Sequence, residues 1–265
     1  MIEYFGLSTI PFTKEIRSKD RYQIPFIEQE IKALTDAIEA RMSALLLAPA
    51  GTGKTSILRA IREKLPEARY HVHYVKVTAL SKRDMCREIA RSIGAKPAGT
   101  YASLVSAVQA RLDDCYSTES VRPVLLIDEA HDMRPEVLSM LRILTNFDMD
   151  SKLVVSLILS GQPPLKQKLF SNGLEDIRRR LIHCGELRLL SREETTAYLG
   201  HRITIAGGRK SPFDDGATDA IYEMARGNMR AIDHISYNAL KIAADRKIPV
   251  IDQTLIAEAR KNLWI

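Results

Sequence analysis

A chain of 265 residues, 45% hydrophobic and 27% charged, is neither fibrous nor disordered, and its length suits one α/β domain with a small appendage. Its 39 Lys and Arg against 33 Asp and Glu leave a net charge of +6, which favours a polyanionic partner, nucleic acid or an acidic membrane surface. Cys86, Cys115 and Cys184 lie far apart with no C-x-x-C, no secretory leader opens the chain, and no run approaches the roughly 20 apolar residues of a membrane span; the expectation is a soluble cytoplasmic protein with reduced thiols.

Tyr4-Phe5-Gly6-Leu7, Pro11-Phe12 and Ile24-Pro25-Phe26 precede a helical pattern at residues 28–41. Two roles stay open for Ile24 and Pro25: the wall of an adenine pocket, or an arm packed on the core for stability alone.

The apolar run Ala44-Leu-Leu-Leu47 then enters Ala48-Pro-Ala-Gly-Thr-Gly-Lys-Thr55, and Ile57, Leu58, Ile61 and Leu65 follow at helical spacing. Strand, loop and helix in that order are what a phosphate-binding loop requires. Gly51 and Gly53 allow successive N–H groups to turn toward an anion, and the positive end of the following helix adds to the field. Ala50, Gly51, Thr52, Gly53, Lys54, Thr55 and Ser56 form the expected cradle, with Lys54 on the β- and γ-phosphates and the Thr55 hydroxyl on Mg²⁺. Ala48 stands where the motif has Gly, and its small side chain keeps the turn open.

Further strands are expected at residues 72–77, 124–127, 153–159 and 182–189, alternating with helices at 55–65, 82–93, 101–114, 135–146 and 165–170. Strands and helices in alternation predict a parallel sheet covered on both faces. In Val124-Leu-Leu-Ile-Asp-Glu-Ala-His131, four apolar residues deliver Asp128 and Glu129 to the carboxyl end of a strand, where such sheets bind ligands. Asp128 is the second candidate for Mg²⁺, and Glu129 is placed to polarise a water for attack on a γ-phosphate. The spelling Asp-Glu-Ala-His also marks a helicase superfamily, but those enzymes need two tandem nucleotide-binding domains and this length holds one. His131 either faces the γ-phosphate or caps the next helix.

Leu157-Ile-Leu-Ser-Gly-Gln-Pro163 ends another strand in polar residues. Ser160 or Gln162 is there to sense a γ-phosphate, or the segment simply turns before Pro163-Pro164. Arg178, Arg179 and Arg180 form either a solvated patch or the source of an arginine finger, with Arg180 or Arg179 ahead of Arg178. From Ser191 the pattern is helical only: a capping box Ser191-Arg-Glu-Glu194 opens a helix to about Ala206, and others follow at residues 217–226 and 231–245. Gly227-Asn-Met-Arg230 places a cation at a helix start, against the helix dipole, which a bound phosphate would explain.

This order of motifs resembles the AAA+ ATPases. Tyr4-Phe5-Gly6-Leu7 with Pro11-Phe12, Leu159-Ser-Gly-Gln-Pro163, Leu190-Ser-Arg-Glu-Glu194 and Gly227-Asn-Met-Arg230 are similar to the ExeA-like group, which is related to transposition regulators of the TnsC, TniB and MuB type. The resemblance implies an AAA+ P-loop NTPase core, residues 1–190 with the N-terminal arm, and a small all-helical lid at 191–265. It also implies a Mg-ATP site using Lys54, Thr55, Asp128 and Glu129, Gln162 or Ser160 as first sensor, Arg230 as second sensor, an arginine finger acting in trans, and assembly into rings or helical filaments. With a basic balance, it implies a regulator that binds duplex DNA without sequence preference, oligomerises there with ATP and recruits a transposase; a secretion-associated or loader-like ATPase acting on a protein partner is the alternative. In the related regulators the segment after the second strand lines the oligomer's inner surface, making Lys76, Thr78, Lys82 and Arg83 candidate phosphate contacts. Against that, Ser81 is an ordinary N-cap. A small-molecule kinase, the third class, fits poorly with Glu129, Arg230 and the lid. His71 and His73 share a strand face, but no Cys or carboxylate stands near them in the sequence, so they are expected to be packed or solvated.

Overall fold

A computed structural model of the chain describes residues 1–77, 80–96, 99–149 and 151–261. These divide into two compact units: residues 26–49 with 54–187, and residues 1–25 with 50–53 and the stretch from Arg188 onward.

The first unit opens with α1 (Pro25–Glu39) and continues through β1 (Ser43–Leu47), α2 (Lys54–Lys64), β2 (Tyr70–Lys76), α3 (Lys82–Ser92), α4 (Tyr101–Ser117), β3 (Arg122–Asp128), α5 (Pro135–Leu144), β4 (Ser156–Gly161), α6 (Pro164–Leu169), α7 (Glu175–Arg180) and β5 (Leu181–Glu186). The strands form one parallel sheet in the order β2-β3-β4-β1-β5. β1, β3 and β4 are continuous apolar runs because both of their faces are covered. On one face Leu45, Leu47, Leu125, Ile127, Leu157 and Leu159 pack with Met85, Ile89, Leu104, Leu112, Leu138 and Leu141 of α3, α4 and α5. Each such side chain contributes about 1.5–3 kcal/mol on burial, so this layer fixes the register that aligns the strand ends. β5, at the edge, alternates in exposure instead.

β4 begins at Ser156, three residues later than the apolar run suggests, where the backbone N–H of Leu157 is bonded to Ser43 Oγ at 3.0 Å. The three arginines close the short α7, directly before β5.

The second unit holds α8 (Arg192–Ile205), α9 (Asp215–Ala225), α10 (Met229–Asp245) and α11 (Gln253–Lys261). The predicted capping box is present: Glu194 N donates to Ser191 Oγ at 3.2 Å and Ser191 N to Glu194 Oε2 at 2.8 Å. α11 is a helix the sequence reading did not include. At Gly227, where φ is +76°, an added Cβ would stand 2.0 Å from the Leu190 carbonyl oxygen, so only glycine fits this crossing.

Residues 1–25, the N-terminal arm, belong to this unit. Ser8 N donates to Ala206 O at 2.7 Å, Arg202 Nη2 to Thr13 O at 2.8 Å, and the Phe12 ring lies edge-on to Phe213. Tyr198, Arg202 and Asp233 form a buried polar cluster beneath the arm, with Arg202 donating to both Asp233 oxygens at 3.0 Å. Burial pushes the Asp233 carboxyl up to about 6, opposed by its bonds from Arg202 and Tyr198.

Candidate functional site

The chemistry of the sheet unit gathers at the carboxyl ends of β1, β3 and β4. Register fixes this: Leu47 pairs with Gly161, Ile127 with Leu159, and Lys76 with Asp128. Lys54 starts α2, is buried, and its Nζ donates to Ala48 O at 3.4 Å. Ala48, the residue that stands in place of glycine, is itself buried, with its N–H on Gly161 O at 3.0 Å.

Thr55 Oγ1 donates to Asp128 Oδ2 at 2.9 Å, joining the start of α2 to the end of β3. Asp128 is almost wholly buried and accepts two further bonds, from Tyr74 Oη at 3.0 Å and from Glu129 N at 2.9 Å. Burial, then the Asp128 charge, pushes the Tyr74 phenol up, keeping it a donor. Tyr74 went unrecognised in the sequence; its role follows from the β2–β3 pairing, which no local pattern announces.

Glu129 adopts a left-handed backbone conformation, φ 57° and ψ 34°, uncommon for a non-glycine residue. Its Oε2 lies 3.4 Å from His131 Nδ1. His131 Nε2 lies 2.7 Å from Gln162 Nε2, so with the amide donating, the imidazole proton rests on Nδ1, toward Glu129. Lys168 of α6 donates to the carbonyls of His131 and of Met133, the latter at 2.7 Å, holding this turn. The structure thus brings Gln162, His131 and Glu129 together in sequence across two strand ends. Ser160, the other sensor candidate, is fully enclosed, and its Oγ has no partner among the described residues.

Of the arginines, Arg178 stacks 4.5 Å over the Phe170 ring, Arg180 is half-buried and engaged, and Arg179 is exposed without a partner among the described residues. Lys76 is exposed at the end of β2. Lys82 and Arg83 are exposed in the first turn of α3, which Ser81 caps through Asp84 N at 3.2 Å, and Arg83 also donates to Gly99 O. Thr78 lies outside the described residues.

In the helical unit, Ala50–Gly53 meets the turn before α10. Asn228 Nδ2 donates to Ala50 O at 2.7 Å and Arg230 N to Gly51 O at 3.2 Å. A Cβ on Gly51, where φ is +80°, would fall 2.3 Å from Asn228 Oδ1, which is why this loop position carries glycine. Thr52 is buried, and the Arg230 side chain is exposed at the start of α10. Ile24 is buried in the same unit, at 1% exposure, and Pro25 opens α1.

Residues 38–169 match the family model described as an AAA domain. The chain is 29% identical over 247 residues to general secretion pathway protein A of Aeromonas hydrophila, covering 92% of this chain and 45% of that protein, so it spans less than half of that relative's length. Among solved structures, it is similar to Cdc6p of Pyrobaculum aerophilum (TM-score 0.76, 17% identity, 94% of this chain and 69% of that one). It is also similar to the Aeropyrum pernix ORC1 protein in complex with DNA (0.71, 16%, 94% and 68%) and to the Thermotoga maritima RuvB Holliday junction branch migration motor (0.58, 18%, 89% and 67%). The chain therefore has the P-loop NTPase fold, a five-stranded parallel sheet with flanking helices and further C-terminal helices, and its residues 38–169 are similar to an AAA domain.

Proposed function

We propose that the chain binds Mg-ATP and hydrolyses it to ADP and phosphate. The observation that carries this is the Thr55–Asp128 hydrogen bond at 2.9 Å beside the buried Lys54. A hydroxyl and a carboxylate held together at a helix start next to an ammonium are the oxygen donors and the counter-charge that a magnesium-bound triphosphate takes. Mg²⁺, when bound, neutralises charge on the β- and γ-phosphates. The chain's own groups do the rest: the amides and small residues of Ala50–Ser56 cradle phosphate, Lys54 pairs with it, and Thr55 and Asp128 hold the cation. Glu129 orients a water and accepts its proton, with His131 and Gln162 setting the carboxylate's position. Arg230 serves as second sensor, Arg179 of a neighbouring copy supplies the finger, and Ile24 and Pro25 border the base.

The cycle then drives assembly on DNA: ATP builds a homo-oligomeric ring or filament on duplex DNA, with Lys76, Thr78, Lys82 and Arg83 on phosphates, and this regulates transposition by recruiting a transposase. The basic balance and the exposed cations after β2 support this reading. Similarity over 92% of the chain to a secretion pathway protein favours the second one, an ExeA-like ATPase that remodels a protein partner.

Binding to a labelled random duplex with ATP and Mg²⁺, with ADP, and without nucleotide, across a salt series, separates them. Cooperative, salt-sensitive binding with ATP alone supports the DNA reading; ATP hydrolysis with no duplex binding in any nucleotide state rejects it in favour of a protein partner.

A further inference from the structure

His71 and His73 lie on one face of the edge strand β2, their rings 6.3 Å apart. The fold supplies the partners that no neighbouring sequence offers. α4 passes Cys115 just before its end at Ser117, and the chain turns back through Glu119 into β3, where Pro123 pairs with His71. His71 Nδ1 stands 3.6 Å from Glu119 Oε2, and one donor atom each from His71, Cys115 and Glu119 falls within 4.8 Å of the others.

We propose that His71, Cys115 and Glu119 form a binding site for a divalent ion of the zinc class, tying the end of α4 to the edge strand. An imidazole, a thiolate and a carboxylate are a donor set that Zn²⁺ accepts and that Mg²⁺ or Ca²⁺ does not seek. Donor atoms on one tetrahedral zinc stand roughly 3.5 Å apart, so modest rotation of the half-buried His71 and the exposed Glu119 closes the site onto the fixed, buried Cys115.

Two neighbours support it. His73 Nδ1 lies 2.8 Å from Ser92 O and so carries the proton, while its Nε2 is buried without a partner among the described residues. Burial holds this ring neutral. The donor atoms within 4.8 Å of one another are those of His71, Cys115 and Glu119, and His73, tied through Nδ1 to Ser92 O, flanks them on the same strand face. Arg111 donates to Glu119 Oε1 at 2.6 Å, leaving Oε2 toward His71, and keeps the carboxyl ionised. Burial pushes the Cys115 thiol up to about 11, so the ion must displace its proton. The site lies five residues before Lys76, roughly 16 Å along β2, and is separate from Asp128 and Thr55.

The test is a Co²⁺ titration of the chelator-stripped chain, followed by the thiolate-to-cobalt charge-transfer band and by displacement with Zn²⁺. One Co²⁺ per chain is expected. Cys115→Ser should remove the sulfur band, and His71→Gln should weaken binding about tenfold or more. Cys184→Ser, at the exposed thiol, should leave the band intact. If Cys115→Ser fails to fold, His71→Gln at a partly exposed side chain decides the matter. Absence of the band in the unaltered chain, its loss in Cys184→Ser, or unchanged affinity in His71→Gln overturns the proposal.

Discussion

Thr55 Oγ1 and Asp128 Oδ2, 73 residues apart in the chain, share a hydrogen bond of 2.9 Å. The strand order brings them together, since β4 alone separates β1, which leads into the phosphate loop, from β3. Asp128→Asn should leave the fold intact but lower Mg²⁺-dependent ATP hydrolysis by about 100-fold, and Thr55→Ala by about tenfold or more. Tyr74→Phe removes one of three donors to the same carboxylate and should cost only about 1 kcal/mol of stability. Steady-state hydrolysis against Mg²⁺ concentration, with thermal melts, checks all three.

Glu129→Gln should separate binding from turnover. The amide keeps the size of the side chain but cannot take a proton from water, so hydrolysis should fall by about 100-fold or more while ATP affinity stays within about threefold. Equal loss of both, measured by nucleotide binding and phosphate release, would show that Glu129 holds the fold of the turn instead.

The Gln162–His131–Glu129 series predicts an effect on kcat rather than on KM. His131→Ala removes the ring between the strand end and the carboxylate, and about a tenfold fall in kcat with KM little changed is expected. Gln162→Ala should behave alike, and the double variant should be less than additive because both act through one chain of contacts.

Arg179→Ala should impair hydrolysis only in the assembled protein, because its side chain is exposed and engages nothing within its own chain among the described residues. Mixing Arg179→Ala with Glu129→Gln subunits should restore partial activity, as each supplies what the other lacks. Arg178→Ala should mainly loosen the Phe170 stack, at about 0.5–1 kcal/mol.

Asp233 predicts a pH dependence of stability. Its folded carboxyl is raised to about 6, above the usual aspartate value, so it binds its proton more tightly folded than unfolded. The corresponding stabilisation is complete below the ordinary value and is lost as pH rises through about 6. Melting temperature should fall over that window and do so less in Asp233→Asn. Arg202→Met, which strands the buried carboxylate, should cost about 3–5 kcal/mol at neutral pH.

Much of the sheet was legible because a strand buried on both faces must be apolar throughout, as Ala44–Leu47 and Val124–Ile127 are. The phosphate loop and Asp128-Glu129 were legible because their chemistry requires particular residue types in fixed spacing. Val154 and Val155 misled for a physical reason: they are buried beside the strand without joining its ladder, while Leu153 is exposed. α7 was missed because six residues, five of them charged, show no usable periodicity. Nothing local in Thr13 or Asp20 foretold that their carbonyls receive Arg202 and His201. Likewise Cys115 met His71 only through the pairing of β2 with β3, a relation that sequence distance conceals.

The central place of β4 has a consequence for how this chain tolerates change. Its neighbours on both sides end in the phosphate loop and in Asp128, and Gln162 follows it directly. Inserting or deleting one residue within β4 would turn every side chain to the opposite face and move Gln162 off His131. The same change in β5, at the rim and half exposed, would disturb one ladder only. Length variation among sequences of this kind should therefore gather at the rim strand and in the loops, and leave the six residues of Ser156–Gly161 constant in number.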